Sequence, residues 1–147
     1  MPTNLYGLND NYHPVNSHVI PGLIRKLYEA KNRQDPTYQI WGTGKPLREF
    51  LFVEDLADVI LKMLVVDNPP NLVNVGSSTE ISIMELAKKI AMVVGYEGLV
   101  IPSTDNLDGT PRKKLDCSLL HSLISFNETS FDVGLEIAYK DFLTKIK

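Results

Sequence analysis

Apolar residues at Ile20, Leu23, Ile24 and Leu27 recur with the three-and-four spacing of one helix face, so the run SHVIPGLIRKLYEAKNR predicts a helix. Ser17 is a natural N-cap for it, and Pro21 falls near the end of the first turn, where its missing N–H costs little. The stretch before it, residues 1–16, is rich in Asn, Pro and Gly and predicts a loop. Next, TYQIW is β-branched and aromatic, GTGKP is a turn, and LREFLFV alternates enough for a second strand. EDLADVILKMLVV then sets Leu56, Val59, Ile60, Met63 and Leu64 on one helix face, with Glu54 and Asp55 at the positive end of the helix dipole. DNPPN breaks that helix, and LVNVG predicts a buried strand.

The best specified helix follows. Ser82 and Glu85 have the spacing of a capping box, Ile81 and Leu86 that of a hydrophobic staple, and Ile83, Leu86, Ala87, Ile90 and Val94 form its inward stripe. LVIP predicts a strand, residues 103–116 a long polar loop, CSLLHSLI a short helix, and SFDVGLEIAYKDFLTKI a closing helix capped by Ser130. The order of elements is that of a small mixed α/β fold, with loops at 1–16, 42–47 and 103–116 as the places to look for function.

Composition narrows the partners. The chain has 147 residues, 44% apolar and 22% charged, which suits one domain with a real core. A net charge of −3 gives no general field for nucleic acid. A single cysteine, Cys117, excludes an internal disulfide and a cysteine-rich metal site, and fits a reducing compartment. No apolar run is long enough to cross a bilayer, and the N-terminus lacks the basic and apolar regions of a signal peptide, so a cytoplasmic protein without membrane, metal or nucleic-acid partners is expected.

Several motifs test negative on physical grounds. GTGK at 42–45 lacks the spacing of a phosphate loop, and Pro46 with a strand follows it where a helix is needed. There is no strand–GxGxxG–helix unit, and no tyrosine has a lysine four residues later. Cys117 has no base placed beside it and reads as a packed thiol in the short helix. His18 is richer in implication. At a helix start after a loop it is either a surface residue or a group facing a cleft, and a helix N-terminus disfavours the imidazolium, so an acid role calls for a nearby anion. Arg48, with Arg25 or Lys26, Arg112, Lys113 and Lys114, can supply cations to such an anion, and Trp41 can stack on a base or sugar. The plainer reading is scattered solvated charge and one core aromatic.

Five stretches carry a resemblance: PTNLYG, NSHVIPGLIRK, WGTGKPLREFLFVEDLA, NVGSSTEISIMELAKKIA and DGTPRKKLD. In order and near-uniform spacing they resemble the C-terminal half of the GDP-L-fucose synthases, which are GDP-4-keto-6-deoxymannose epimerase/reductases among the extended short-chain dehydrogenase/reductases. The first and third stretches are similar to those of nucleotide-sugar enzymes broadly; NSHVIP and DGTPRK point to the fucose synthases. The resemblance implies a substrate-binding domain over 1–147, with an active-site rim at 1–16 and a substrate loop at 103–116. It implies that the Rossmann half is absent, together with the glycine-rich NADP loop, the Ser and Tyr-x-x-x-Lys residues and a cysteine used in epimerisation, which Cys117 is not.

By the same resemblance His18 is the epimerisation acid, and Pro2, Thr3, Asn4 and Leu5 line the nicotinamide of NADP(H), a cofactor held mainly by the missing half. Lys26 is a basic substrate contact, Trp41 a nucleotide-side contact and Arg48 a diphosphate contact. Asp108 lies in the loop that reaches the GDP-sugar, and Arg112, more loosely with Lys113, is a further substrate contact. Leu8-Asn9 departs from the Pro-His frequent in the family, and the 66–71 connection is short. The implied activity is 3,5-epimerisation and NADPH-dependent 4-reduction of GDP-4-keto-6-deoxy-D-mannose, with this chain inactive by itself and partnered by an N-terminal Rossmann half in cis or in trans. A free-standing nucleotide-sugar binding module, a split-enzyme subunit, the same domain of another nucleotide-sugar epimerase or dehydratase, and a relic without function are the alternatives.

Overall fold

A computed structural model describes residues 1–103, 105 and 107–146. The fold is mixed α/β. Its larger core is built by three helices: α1 (Val19–Arg33), α3 (Ile83–Val94) and α5 (Phe131–Lys145). Ile20, Ile24 and Leu27 of α1 meet Leu86 and Ile90 of α3 and Leu135 and Phe142 of α5, each 2% exposed or less. The stripe of α1 is thus the one its spacing predicts. The Ser82–Glu85 capping box forms with both of its bonds, Ser130 caps α5, and Gly95 ends α3 in a left-handed turn.

Short strands surround these helices. β1 (Asn4–Tyr6) runs parallel to β4 (Phe50–Phe52), with Asn4 opposite Phe50. A parallel bridge between Pro2 and Val75 flanks β1 on its other side, where Val75 N–H donates to Met1 O and Thr3 N–H to Val75 O. β2 (Thr37–Gln39) pairs parallel with β6 (Leu99–Ile101). The third sheet has β3 (Leu47–Arg48) at its centre, antiparallel to β5 (Ile81–Ser82) and parallel to β7 (Arg112–Lys113). α2 (Val53–Met63) and the short α4 (Ser118–Leu123) enclose a smaller core of Leu51, Val59, Val75, Cys117 and Leu120. Among the described residues no helix is long and apolar enough to cross a membrane.

Seven expectations need correction. Residues 1–16 are not all loop: Asn4–Tyr6 pairs as a strand, because β4 supplies a partner that local composition cannot reveal. The cap of α1 is His18, not Ser17, and no side-chain bond caps that helix. LREFLFV is not one strand; the chain changes sheets at Glu49, so Leu47–Arg48 and Phe50–Phe52 pair with different partners. LVNVG makes a single bridge at Val75 in place of a strand. Arg112–Lys113 is a strand inside the 103–116 segment, and Cys117 is the cap of α4 rather than a residue within it. Finally, α2 is rotated by about one position from the predicted face. Asp55 is buried because it accepts from the Thr129 N–H at 2.8 Å and its hydroxyl at 2.7 Å, and Val59 follows it inward, so Ile60 and Leu64 are left exposed.

Candidate functional site

His18 lies where two hollows meet. One, of about 680 Å3, is walled by the rim residues Thr3, Asn4 and Leu5 and by Phe50 and Val53, with His18 and Val19 at its side. The other, of about 270 Å3, has His18 and Val19 in its wall together with Lys26, Tyr38 and Trp41. The local sequence explains the placement. The chain turns into α1 at His18, whose extended backbone leaves the imidazole exposed outside the helix and free of any side-chain capping bond. Lys26 lies two turns further along α1. Trp41 follows β2 and is 74% exposed, which overturns the reading of a core aromatic.

Trp41 is held in that exposed position by the 103–116 segment. Its indole N–H donates to Leu107 O at 3.2 Å, and Ser103 N–H donates to Gly42 O. Asp108 takes the Thr43 hydroxyl at 2.6 Å and the Thr43 N–H at 2.8 Å. Gly42 permits this, since its φ is +70° and a Cβ there would lie 2.3 Å from the Asp108 carboxylate. Asp108 is therefore spent on the 41–44 turn. Beyond it the loop meets Arg48, whose Nη1 donates to Leu47 O and Thr110 O, both at 2.7 Å. Among the described residues Nε and Nη2 of Arg48 have no protein partner, so part of its fork is open to an anion.

The predicted residues accordingly divide. His18, Lys26 and Trp41 share one hollow, and His18 also shares the rim hollow with Thr3, Asn4 and Leu5. Pro2 is bridged to Val75 and lines neither. Arg48 stands at the far end of the 107–110 stretch that begins at Trp41. Arg112 lies apart: it is bidentate to Glu80, at 2.8 and 2.5 Å, in a third hollow with Lys114, Cys117 and Ser77. Arg25 is likewise spent, on Glu29 at 2.7 Å and on Tyr12 O. Sequence reasoning missed Tyr38, which lines the same hollow as Lys26 and whose phenol burial pushes up to about 12. The alternation of TYQIW was the available signal, since it places Tyr38 opposite to Gln39. Among the described residues no group of three His, Cys, Asp or Glu side chains is placed to hold a metal ion.

The Thr43–Asp108 latch has a pH signature. The Thr43 hydroxyl, and after it the Thr43 N–H, stabilise the charged carboxylate and hold it below its ordinary range. A depressed value means the latch is intact above the ordinary aspartate range and opens only as the pH falls through the lower, folded value. The Thr43 amide proton shift is expected to stay constant through the range where free aspartates titrate. In Thr43→Val the Asp108 titration, read by carbonyl NMR, should move back toward the ordinary value. A Thr43 amide that titrates with free aspartate overturns the latch.

The Epimerase family model, described as the NAD dependent epimerase/dehydratase family, matches residues 1–76. The GDP-L-fucose synthase of Escherichia coli (strain K12) is 45% identical over 97% of this chain and 47% of its own length. GDP-L-fucose synthase 1 of Arabidopsis thaliana is 47% identical over 99% of this chain and 45% of its own. A GDP-L-fucose synthetase from Naegleria fowleri, solved bound to NADP, superposes with a TM-score of 0.89 at 29% identity, covering 98% of this chain and 46% of that one. The chain thus spans about half the length of the curated relatives it matches. The family match takes in the rim strand, His18, Lys26, Trp41 and Arg48 and extends over more than half of the sequence, and the chain belongs to the NAD dependent epimerase/dehydratase family.

Proposed function

We propose that this chain is the C-terminal, substrate-binding part of a GDP-L-fucose synthase, which converts GDP-4-keto-6-deoxy-D-mannose to GDP-L-fucose by 3,5-epimerisation and NADPH-dependent reduction at C4. One observation carries the reading: His18 borders both the rim hollow and the hollow that holds Lys26 and Trp41. A proton donor between a cofactor-side wall and a nucleotide-side wall is what an epimerase/reductase requires of this half.

The rim residues fit a nicotinamide. Leu5, Phe50 and Val53 give the 680 Å3 hollow an apolar wall, with Thr3 and Asn4 as polar groups at its edge. NADPH, when bound, supplies hydride for C4. The other steps fall to the chain's own side chains. The C4 ketone acidifies the protons at C3 and C5; after a base removes each, His18 returns a proton to the opposite face. Lys26 and the open part of the Arg48 fork balance the diphosphate charge. Trp41 offers an exposed ring face on which the nucleotide can stack. The reading assigns the remaining groups, a Tyr-x-x-x-Lys pair and a glycine-rich loop, to an N-terminal Rossmann half in cis or in trans. The single buried cysteine suits a reducing compartment, and we place the protein in the cytoplasm.

Titration calorimetry with GDP and UDP tests the substrate class. With half the cleft wall present, GDP is expected to bind weakly, with Kd on the order of 1 mM or somewhat tighter, and UDP about tenfold more weakly still. A preference for UDP moves the chain to another nucleotide-sugar epimerase; binding of neither nucleotide, in this chain or with an N-terminal half added, overturns the reading.

A further inference from the structure

Glu49 is fully buried, at 0% exposure, and occupies the single position between β3 and β4 where the chain leaves one sheet for another. Its carbonyl oxygen accepts from the Asn4 side-chain amide at 2.9 Å and from the Thr3 hydroxyl at 3.3 Å. Its carboxylate Oε2 accepts from Leu115 N–H at 3.1 Å. Its Oε1 is buried and, among the described residues, has no hydrogen-bond partner. That oxygen points at the backbone of Gly76: a Cβ there would lie 2.3 Å from Oε1 and 3.1 Å from Cys117 Sγ.

An arrangement of this kind does not serve stability. A buried carboxylate loses its hydration, and an unpartnered oxygen leaves part of that loss uncompensated. Apolar residues of similar volume commonly replace buried charges with no loss of stability, or with a gain. What an apolar side chain cannot supply is the acceptor for Leu115 N–H. Leu115 closes the 103–116 segment two residues after β7, and β7 is the strand that lies beside Arg48. One residue therefore ties together the rim at Thr3 and Asn4, the strand that presents Arg48, and the end of the loop whose other part carries Leu107 and Asp108 to Trp41 and Thr43.

We propose that Glu49 is a positioning residue for the nucleotide-sugar site: its carboxylate anchors the end of the substrate loop while its main chain anchors the rim strand, which fixes the spacing between the two walls. The proposal rests on the function proposed above. Two variants of this chain test it, Glu49→Met, which keeps the volume and removes the acceptor, and Glu49→Gln, which keeps an acceptor oxygen. Amide hydrogen exchange is read by NMR, GDP affinity by calorimetry and the thermal midpoint by circular dichroism.

In Glu49→Met, Leu115 N–H is expected to exchange about tenfold faster or more, and GDP to bind about tenfold more weakly, while the thermal midpoint stays at or above that of Glu49→Gln. Glu49→Gln should remain within about threefold of the unaltered chain on both readings, a rescue that a purely volume-filling role does not predict. Unchanged exchange at Leu115 in Glu49→Met overturns the proposal. So does a parallel loss of binding and melting temperature in both variants. If the unaltered chain binds no GDP, the functional reading fails by itself, and the exchange at Leu115 still decides whether Glu49 anchors the loop.

Discussion

Phe142→Ala is expected to cost about 4 kcal/mol of folding free energy, read as a lower urea midpoint by far-UV circular dichroism. Such a loss is a large share of the roughly 5–15 kcal/mol that holds a typical domain folded. Phe142 is 1% exposed on α5, and its ring meets Tyr12 at 5.1 Å, Tyr28 at 5.3 Å and Tyr139 at 6.4 Å between centroids. Truncation therefore opens a void among three aromatic rings, which cannot all collapse into it. The same contact reaches the site. Tyr12 donates its hydroxyl to Ala138 O at 2.8 Å and to Asp141 at 3.1 Å, and Asp141 also takes Asn9 N–H, so α5 tethers the segment that leads to His18. Leu143→Ala, one residue on and 42% exposed, should change stability by about 0.5 kcal/mol or less. A Phe142→Ala loss below about 1 kcal/mol means that the aromatic cluster does not anchor α5.

What the sequence made legible was local. α3 was readable because its capping box and inward stripe specify the same helix, and both appear in the structure. α1 was readable by its stripe alone; its cap was misplaced by one residue, because a serine before a helix is a cap only when its oxygen reaches an N–H, and here that position belongs to His18. Pairings between distant segments were not legible. Asn4–Tyr6 is a strand only because Phe50–Phe52 lies beside it, and the change of sheet at Glu49 depends on three segments that sequence spacing does not relate. The face of α2 turned because Asp55 was claimed by Thr129, 74 residues away, a partner that the stripe of Leu56, Val59, Ile60, Met63 and Leu64 could not reveal.

The candidate site divides along the same line. Residues on or just before one regular element, His18 and Lys26, emerge on a shared hollow, since helical spacing fixes their relation. Residues of the 103–116 segment do not obey spacing: Asp108 is taken by Thr43 and Arg112 by Glu80, each through an ion or hydrogen bond that forms only in the folded chain. Glu49 gave no signal at all, because an acidic residue next to Arg48 at the start of an apolar run reads as a solvated charge, whereas burial and a change of sheet give it its place.

His18→Ala should be the most damaging change to turnover once this chain is joined to the N-terminal half of a GDP-L-fucose synthase. That mixture is expected to oxidise NADPH in the presence of the keto-sugar, which this chain alone should not do. A positioned acid contributes about 10²–10⁴-fold to a proton-transfer step, and a loss of that size is expected in the formation of epimerised product. The fold should be untouched, because the His18 side chain is exposed and makes no capping bond with α1. GDP affinity should also hold within about threefold, since an acid whose work is done in the transition state lowers turnover rather than ground-state binding. Arg48→Ala should behave in the opposite way. On the proposed reading it removes a charge-assisted contact to the diphosphate, so it should weaken binding of the GDP-sugar about tenfold to a hundredfold and cut turnover at low substrate. The contrast between the two variants is the decisive reading. If the mixture turns over at the same rate with either substitution, neither the acid nor the diphosphate contact is where the two hollows place it, and a variant of His18 that loses GDP binding in step with turnover makes it a binding residue instead.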